Sequence, residues 1–440
     1  MSHARSIIAP FLARGLKLNL VSSIVTKLSG LAQLFLISQG MGLEVYGAWA
    51  LLNNAVGYLT HLVSLSLPNA FVRFHPTQPN VLGYERFFTL GCITLGTVLC
   101  GPFALLAGWA ATTFLKSDAF TPLLQAGALL IPLNVARLFL TDTMRARGRL
   151  NSSAIVNIGF EVIESGTITI AVLLHRSMLW VVNVEATVMV AIGGFALWRT
   201  FSIQAPGAPM IPPNVKDVAS IYLRHSLPLI PSAFLGQLAS NGDRFLVGYF
   251  LGAAQVGLYN SLYAVGSVVM LFNTPFTNVL LPRIVRQLAA GRISEASQDV
   301  FRFCAAFFAI GIVGILGLLT FGPWILPVVL KLGTATPLEA SQQCALLMLA
   351  LTVFGTTRIY SLHLHARSKT RSLFLAYGSG VLMNQVANLA LIPWMGLPGA
   401  FLAGLVSYAT IAVVLWSLVR RSSIQSGPGQ LTPNPTTYLE

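Results

Sequence analysis

The stretch SNGDRFLVGYFLGAAQVGLYNSLYAV, residues 240–265, decides the fold. Two apolar runs meet there at Gly252, with only a few residues between them. Extended outward, they cover residues 225–250 and 257–280. A helix needs about 20 apolar residues to cross the hydrocarbon core of a bilayer. Each run is long enough, so the segment reads as a membrane hairpin with a tight outer turn. An Asp-Arg pair, Asp243 and Arg244, lies near the end of the first run.

The composition of the whole chain agrees with that reading. Of 440 residues, 55% are hydrophobic and 9% charged, and mean hydropathy is +0.73. An ordinary soluble domain carries about 25% charged residues. A soluble enzyme, a nucleic-acid-binding protein and a disordered chain are therefore excluded as classes. The expected class is an all-α integral membrane protein, multi-pass and without enzymatic activity. Twelve spans are predicted, at 18–40, 46–67, 87–114, 121–143, 152–174, 179–198, 225–250, 257–280, 302–328, 339–364, 372–392 and 397–419.

The excess of basic residues, 27 Lys and Arg against 13 Asp and Glu, sets the orientation. Basic side chains are retained on the cytoplasmic side of a membrane. With the N-terminus inside, twenty of the 27 fall on inner segments. Three, Lys116, Arg176 and Lys331, fall outside. Lys27, Arg137, Arg244 and Arg358 lie within spans. This alternation supports an even number of spans with both termini cytoplasmic. The loops are short, so no soluble domain is expected. Residues 1–17 read as a basic amphipathic segment on the inner surface, with no cleavable signal peptide. Residues 199–224 read as a Pro-rich connector and residues 421–440 as a disordered tail. Cys92, Cys100, Cys304 and Cys344 lie in apolar runs, and neither a disulfide nor a metal site nor a cofactor is expected.

The connector divides the chain into two halves, 18–198 and 225–420. A shift of 210 residues lays 14–73 over 224–283 with nine identities in sixty positions, among them Gly42/Gly252, Gly47/Gly257 and Arg73/Arg283. Chance in so biased a composition gives roughly half that number. Both glycine pairs flank the first outer turn of their half, and an aromatic follows at matching positions, Trp49 and Tyr259. Six spans per half put the halves in the same orientation. The expected relation is a pseudo-two-fold axis along the membrane normal, with a cleft between two six-helix lobes.

Residues 240–265 resemble the Wzx-type lipid-linked oligosaccharide flippases, a polysaccharide-transporter branch of the multidrug/oligosaccharidyl-lipid/polysaccharide exporter superfamily. The resemblance rests on Asp243-Arg244, Gly252 and Val256-Gly257-Leu258-Tyr259. Leu281-Pro282-Arg283, Ala290-Gly291-Arg292 and the first outer turn Gly42–Gly47 extend it. It implies a MATE-like, two-lobed alternating-access transporter in the bacterial inner membrane. The implied cargo is an undecaprenyl-pyrophosphate-linked glycan, carried from the inner to the outer leaflet with coupling to H⁺ or Na⁺. Membrane lipids, a polysaccharide polymerase and a chain-length regulator are the candidate partners, and nucleic acid is not one. By analogy, the family's basic central cavity implies a binding role for Lys27, Arg137 and Arg358.

The residues themselves allow more than one reading. A charged side chain at mid-membrane costs about 2.5–3.5 kcal/mol on the insertion scale, so such residues line a wet cavity, pair, or snorkel. Lys27 lies near mid-depth and favours cavity lining over a structural pair. Arg137 and Arg358 occupy matching helices of the two halves. They suit a pyrophosphate, which Arg forks grip bidentately, or else they snorkel to the inner edge. Asp243 and Arg244, about 100° apart on a helix, should meet different helices or anchor at the outer interface. Glu161 and Glu164 share a face of span five. They can take up H⁺ or Na⁺, or they can salt-bridge to Lys27 or Arg137. Glu185 is expected to be solvated near the outer surface. Asn53 is a candidate for sugar hydroxyls and Tyr263 for stacking on a sugar ring, against ordinary interhelical roles. Two rival functions stand beside the flippase: a multidrug-type exporter, which needs an acidic cleft for organic cations, and an intramembrane enzyme on polyprenyl lipids, which needs clustered carboxylates or histidines at one membrane face.

Overall fold

The computed structural model describes residues 21–68 apart from 23, residue 71, 81–198 apart from 148, and 215–273 apart from 228. It further describes 276–277, 280, 283–284, 287–288, 290–330, 332–333, 335–366 and 370–425. The basic segment 1–17, the Pro-rich part of the connector (199–214) and residues 426–440 lie outside the described residues, as do Arg73 and Asn278.

Among the described residues the chain is helical and contains no strand. Eight helices are long and apolar enough to cross a membrane. They correspond to spans three, four, five and eight to twelve. The other four predicted spans are also helical, and each departs from that criterion for its own reason. Span one is described only from residue 21. Span two is one helix, Leu43–Val63, diluted by Asn53, Asn54, Thr60 and His61. Span six, Met178–Trp198, carries Glu185 in its outer half, and its apolar part is the shorter Met178–Ala191. Span seven is broken at Gly242 into Leu229–Asn241 and Asp243–Leu251.

The chain forms two compact units. The first comprises residues 1–264 and 329–333, and so holds spans one to seven and the start of eight. Its inner end is closed by an aromatic cluster in which Phe71, Phe88, Phe139 and Tyr222 pack ring on ring. Tyr222 comes from the connector, which carries a helix, Val215–Ser226, rather than being all linker. Beneath it, Arg147 is ion-paired to the fully buried Glu85.

The outer turns of this unit show what the 210-residue repeat means physically. Gly42 and Gly252, equivalent in the repeat, both take positive φ, 101° and 83°. That backbone region is costly for residues with a Cβ. Each glycine starts a helix, Leu43–Val63 and Ala253–Gly266, and these helices touch backbone to backbone. A Cβ on Gly47 would stand 1.9 Å from the carbonyl oxygen of Ala253. A Cβ on Gly257 would stand 2.1 Å from the carbonyl oxygen of Leu43. Leu43 and Ala253 are themselves repeat equivalents, so the contact is self-complementary in the sense of a two-fold interface.

The second unit, residues 265–328 and 334–440, contains most of span eight and spans nine to twelve. Spans nine and ten, Ile293–Val329 and Pro337–Ala366, approach through small residues. Gly311 lies against Thr352, Gly322 against Ser341, and Gly355 against Phe307. Small residues at such interfaces let helices pack closely where lipid supplies no hydrophobic drive. Asn273 Nδ2 donates to the Gly355 carbonyl at 2.9 Å, and Ser407 Oγ to the Gly380 carbonyl at 2.8 Å.

Candidate functional site

The polar interior of the first unit is organised by span two. Asn53, Gly57 and His61 fall at four-residue intervals and share one face. Asn54 and Tyr58 share the neighbouring face, about 100° away.

The first face lines a cavity of about 310 Å³ with spans four and five. Asn53, His61, Asn134 and Asn157 bring amides and an imidazole to it, and Arg137 and Arg145 bring charge. Both arginines are compensated. Arg137 Nη2 donates to Glu161 Oε1 at 3.1 Å, and Arg145 Nη1 to Asp142 Oδ1 at 3.0 Å. The guanidinium of Arg137 also lies over the Phe160 ring, 5.0 Å from its centroid. The cavity is thus rich in neutral donors and acceptors and nearly balanced in charge. A larger cavity, about 570 Å³, opens at the outer ends of the first unit's helices beside His175 and Arg176, away from every predicted site residue.

The second face reaches span seven. Tyr58 Oη donates to the Gln237 carbonyl at 3.1 Å, and Asn54 Oδ1 accepts from Arg244 Nη1 at 2.7 Å. Arg244 also donates to Asn241 Oδ1, in the turn that breaks span seven. Its guanidinium lies 4.8 Å from the centre of the Tyr263 ring. Asp243, one residue earlier, turns elsewhere. It is buried and accepts a hydrogen bond from Tyr259 Oη at 2.6 Å. Lys27, on span one, is exposed and lies within electrostatic reach of Arg244. Among the described residues, neither Lys27 nor Arg244 enters a salt bridge. The partners of Arg244 are neutral amides and a ring. An apolar groove of about 200 Å³ adjoins the next residue, Phe245, lined by Leu51, Phe103, Leu106 and Phe114 among others.

A third group joins spans one and five. Ser29 and Gln33, four apart on span one, face Ser165. The two serine hydroxyls are hydrogen-bonded, and Gln33 Nε2 donates to Ser29 Oγ at 3.4 Å and to Ser165 Oγ at 3.3 Å. Gln33 is also hydrogen-bonded to Glu164. Lys27, about 200° round the helix from Ser29, faces the Arg244 side instead. Glu185 corrects the sequence reading. It is 4% exposed rather than solvated, and it lies within electrostatic reach of Glu164, Arg137 and Glu161. Its helix packs on spans four and five, and residue 185 points toward them.

The structure therefore brings Lys27, Arg244 and Tyr263 together, and separately Arg137 with Glu161 and Glu164. Asn53 lies in the amide cavity. Arg358 belongs to the second unit, where it is exposed, with its guanidinium 6.0 Å from the Phe354 ring centre. Sequence reasoning did not find Asn54 as the partner of Arg244, nor the Ser29–Gln33–Ser165 bridge. The tandem Asn53-Asn54 in an apolar span was the available signal: adjacent polar residues cannot share one environment.

Comparison with known proteins adds the following. A family model described as "Polysaccharide biosynthesis protein" matches residues 12–288. No curated protein matches the chain. Among solved structures, an inward-facing multidrug resistance MATE family transporter of the MOP superfamily superposes with TM-score 0.71 at 13% identity, covering 91% of this chain and 95% of the other. The lipid II flippase MurJ, inward closed, gives TM-score 0.73 at 15% identity, with 91% and 87% covered. A MOP superfamily transporter from Pyrococcus furiosus, for which a binding pocket of reversed polarity suggests a different function, gives 0.65 at 12%, with 95% and 96% covered. These likenesses establish the fold as that of the MOP transporters.

Proposed function

Because the chain belongs to the polysaccharide biosynthesis protein family, we propose that it is an alternating-access flippase for an anionic lipid-linked glycan. Its cargo in this reading is an oligosaccharide on undecaprenyl pyrophosphate, moved from the inner to the outer leaflet of the bacterial inner membrane. The observation that carries the proposal is the pair Lys27 and Arg244, two cations within electrostatic reach of each other and without a salt-bridged carboxylate. Two uncompensated charges in a membrane protein are expensive unless an anion joins them. A pyrophosphate supplies that anion, and the planar Arg244 fork suits its oxygens.

The adjoining face of span two suits the rest of the headgroup. Asn53, Asn134 and Asn157 offer amides of both polarities to sugar hydroxyls. Tyr263, already under the Arg244 guanidinium, offers a ring for stacking. Arg137 and Arg358 remain candidate phosphate contacts, the first after release from Glu161. The polyprenyl tail stays in lipid. H⁺ or Na⁺ coupling at Glu161, Glu164 or Asp243 would bias the cycle, because an ion drives a change only if it binds the two states differently. The fold's kinship with the lipid II flippase MurJ supports a lipid-linked cargo. A multidrug exporter of organic cations is less well supported, since its cargo would meet Lys27 and Arg244.

Deletion of the gene in cells that make the glycan tests the proposal. The lipid-linked unit should accumulate in the inner leaflet, and surface glycan should disappear. Normal surface glycan in the deletion strain would overturn it.

A further inference from the structure

The charges around span five do not balance. Glu161 is answered by Arg137 at 3.1 Å. Glu164 and Glu185 remain, on neighbouring helices, within reach of each other and of the same single guanidinium. Glu185 Oε2 is buried and accepts no hydrogen bond. A buried carboxylate oxygen without a partner is among the costliest polar groups a protein can hold.

The surrounding helices do not resolve the imbalance. Span four contributes Arg137 alone, and span five contributes Glu161 and Glu164. The helix Thr121–Gly127, also packed against span six, contains no titratable residue. Span one contributes Gln33, whose side-chain amide is spread over Ser29, Ser165 and Glu164. Among the described residues no group of three or more acidic, His or Cys side chains is arranged to hold a metal ion. A proton needs no coordination shell, and it converts an orphaned carboxylate oxygen into a hydrogen-bond donor.

We propose that Glu164 and Glu185 form a proton-binding site in the first unit, with Gln33, Ser29 and Ser165 as its neutral wall and Arg137–Glu161 as its fixed ion pair. Binding is a protonation in place: one O–H bond forms on a carboxylate oxygen, and none breaks in the protein. The assignment of that proton to the transport cycle rests on the flippase reading. The existence of the site does not.

Infrared difference spectroscopy of the purified full chain in lipid nanodiscs tests it, with pH and NaCl as the only probes. The wild type should show a protonated-carboxyl C=O band that titrates with pH. It should be weakened in Glu185→Gln and in Glu164→Gln, and 100-fold more Na⁺ at fixed pH should leave it unchanged. Two variants are used so that a folding failure of one leaves the other to report. A band equal in the wild type and both variants, or one abolished by Na⁺, would overturn the proposal. No glycan lipid is present in this measurement, so its failure and failure of the deletion test are separate events.

Discussion

Gly47→Ala is the most informative single change, because its effect is set by backbone geometry. The added Cβ would lie 1.9 Å from the Ala253 carbonyl oxygen and 2.8 Å from the Gly257 nitrogen. Both are backbone atoms and cannot rotate away. Non-bonded carbon contacts are comfortable at about 3.5 Å, so the helices Leu43–Val63 and Ala253–Gly266 must part by about 1.5 Å. Overpacking of this kind costs about 1–3 kcal/mol. Gly257→Ala meets the Leu43 carbonyl at 2.1 Å and should cost the same. The double variant should cost less than the sum, because the first methyl already separates the pair. Gly101→Ala in span three is the control, with nothing within 4 Å of the new methyl. That change should be neutral or stabilise by up to about 1 kcal/mol through helix propensity. Thermal unfolding of the four variants in detergent compares them directly. If Gly47→Ala melts with Gly101→Ala, or if the two outer substitutions add fully, the self-complementary contact is wrong.

Other outcomes follow from the buried charges. Glu85→Gln leaves Arg147 in an ion pair with no anion, and the loss should be about 3–5 kcal/mol, read as a lowered Tm; Arg147→Met with Glu85→Gln should recover part of it. Tyr259→Phe removes the 2.6 Å hydrogen bond to Asp243 and should cost about 1.5–3 kcal/mol, visible in the same assay. Tyr263→Leu removes the ring under Arg244 and should cost about 0.5–2 kcal/mol in stability. An unchanged Tm in that variant would mean that ring and guanidinium do not interact. Glu161→Gln should free Arg137 and make anion binding by the amide cavity more salt-sensitive; an unchanged salt dependence would count against the pairing.

Much of the fold was legible because a bilayer punishes errors. Long apolar runs and the sidedness of Lys and Arg leave few alternatives, and the spans appear as helices near their expected places. Facing was harder to read. Hydropathy gives depth along a helix but not azimuth, so Glu185 read as outer and solvated when its helix turns it inward. The same limit hid Asn54 behind Asn53 until span seven was seen to meet it. The break at Gly242 was obscured by an apolar run that continues across it. In the connector the prolines drew attention from Val215, Val218, Ala219 and Tyr222, whose three- and four-residue spacing is an amphipathic helix signal. The shift that aligned Gly47 with Gly257 could reveal equivalence. That the equivalents touch each other is a fact of the folded chain.

Equilibrium binding of a pyrophosphoryl-linked lipid sugar to the full chain in nanodiscs tests the central claim most directly, with wild type compared against Lys27→Gln/Arg244→Gln. Loss of the two cations should weaken binding at least tenfold, which corresponds to about 1.4 kcal/mol, and the wild-type affinity should fall as salt rises. Equal affinity in both proteins, or binding of an organic cation in place of the pyrophosphate lipid, would contradict the claim that Lys27 and Arg244 hold the headgroup.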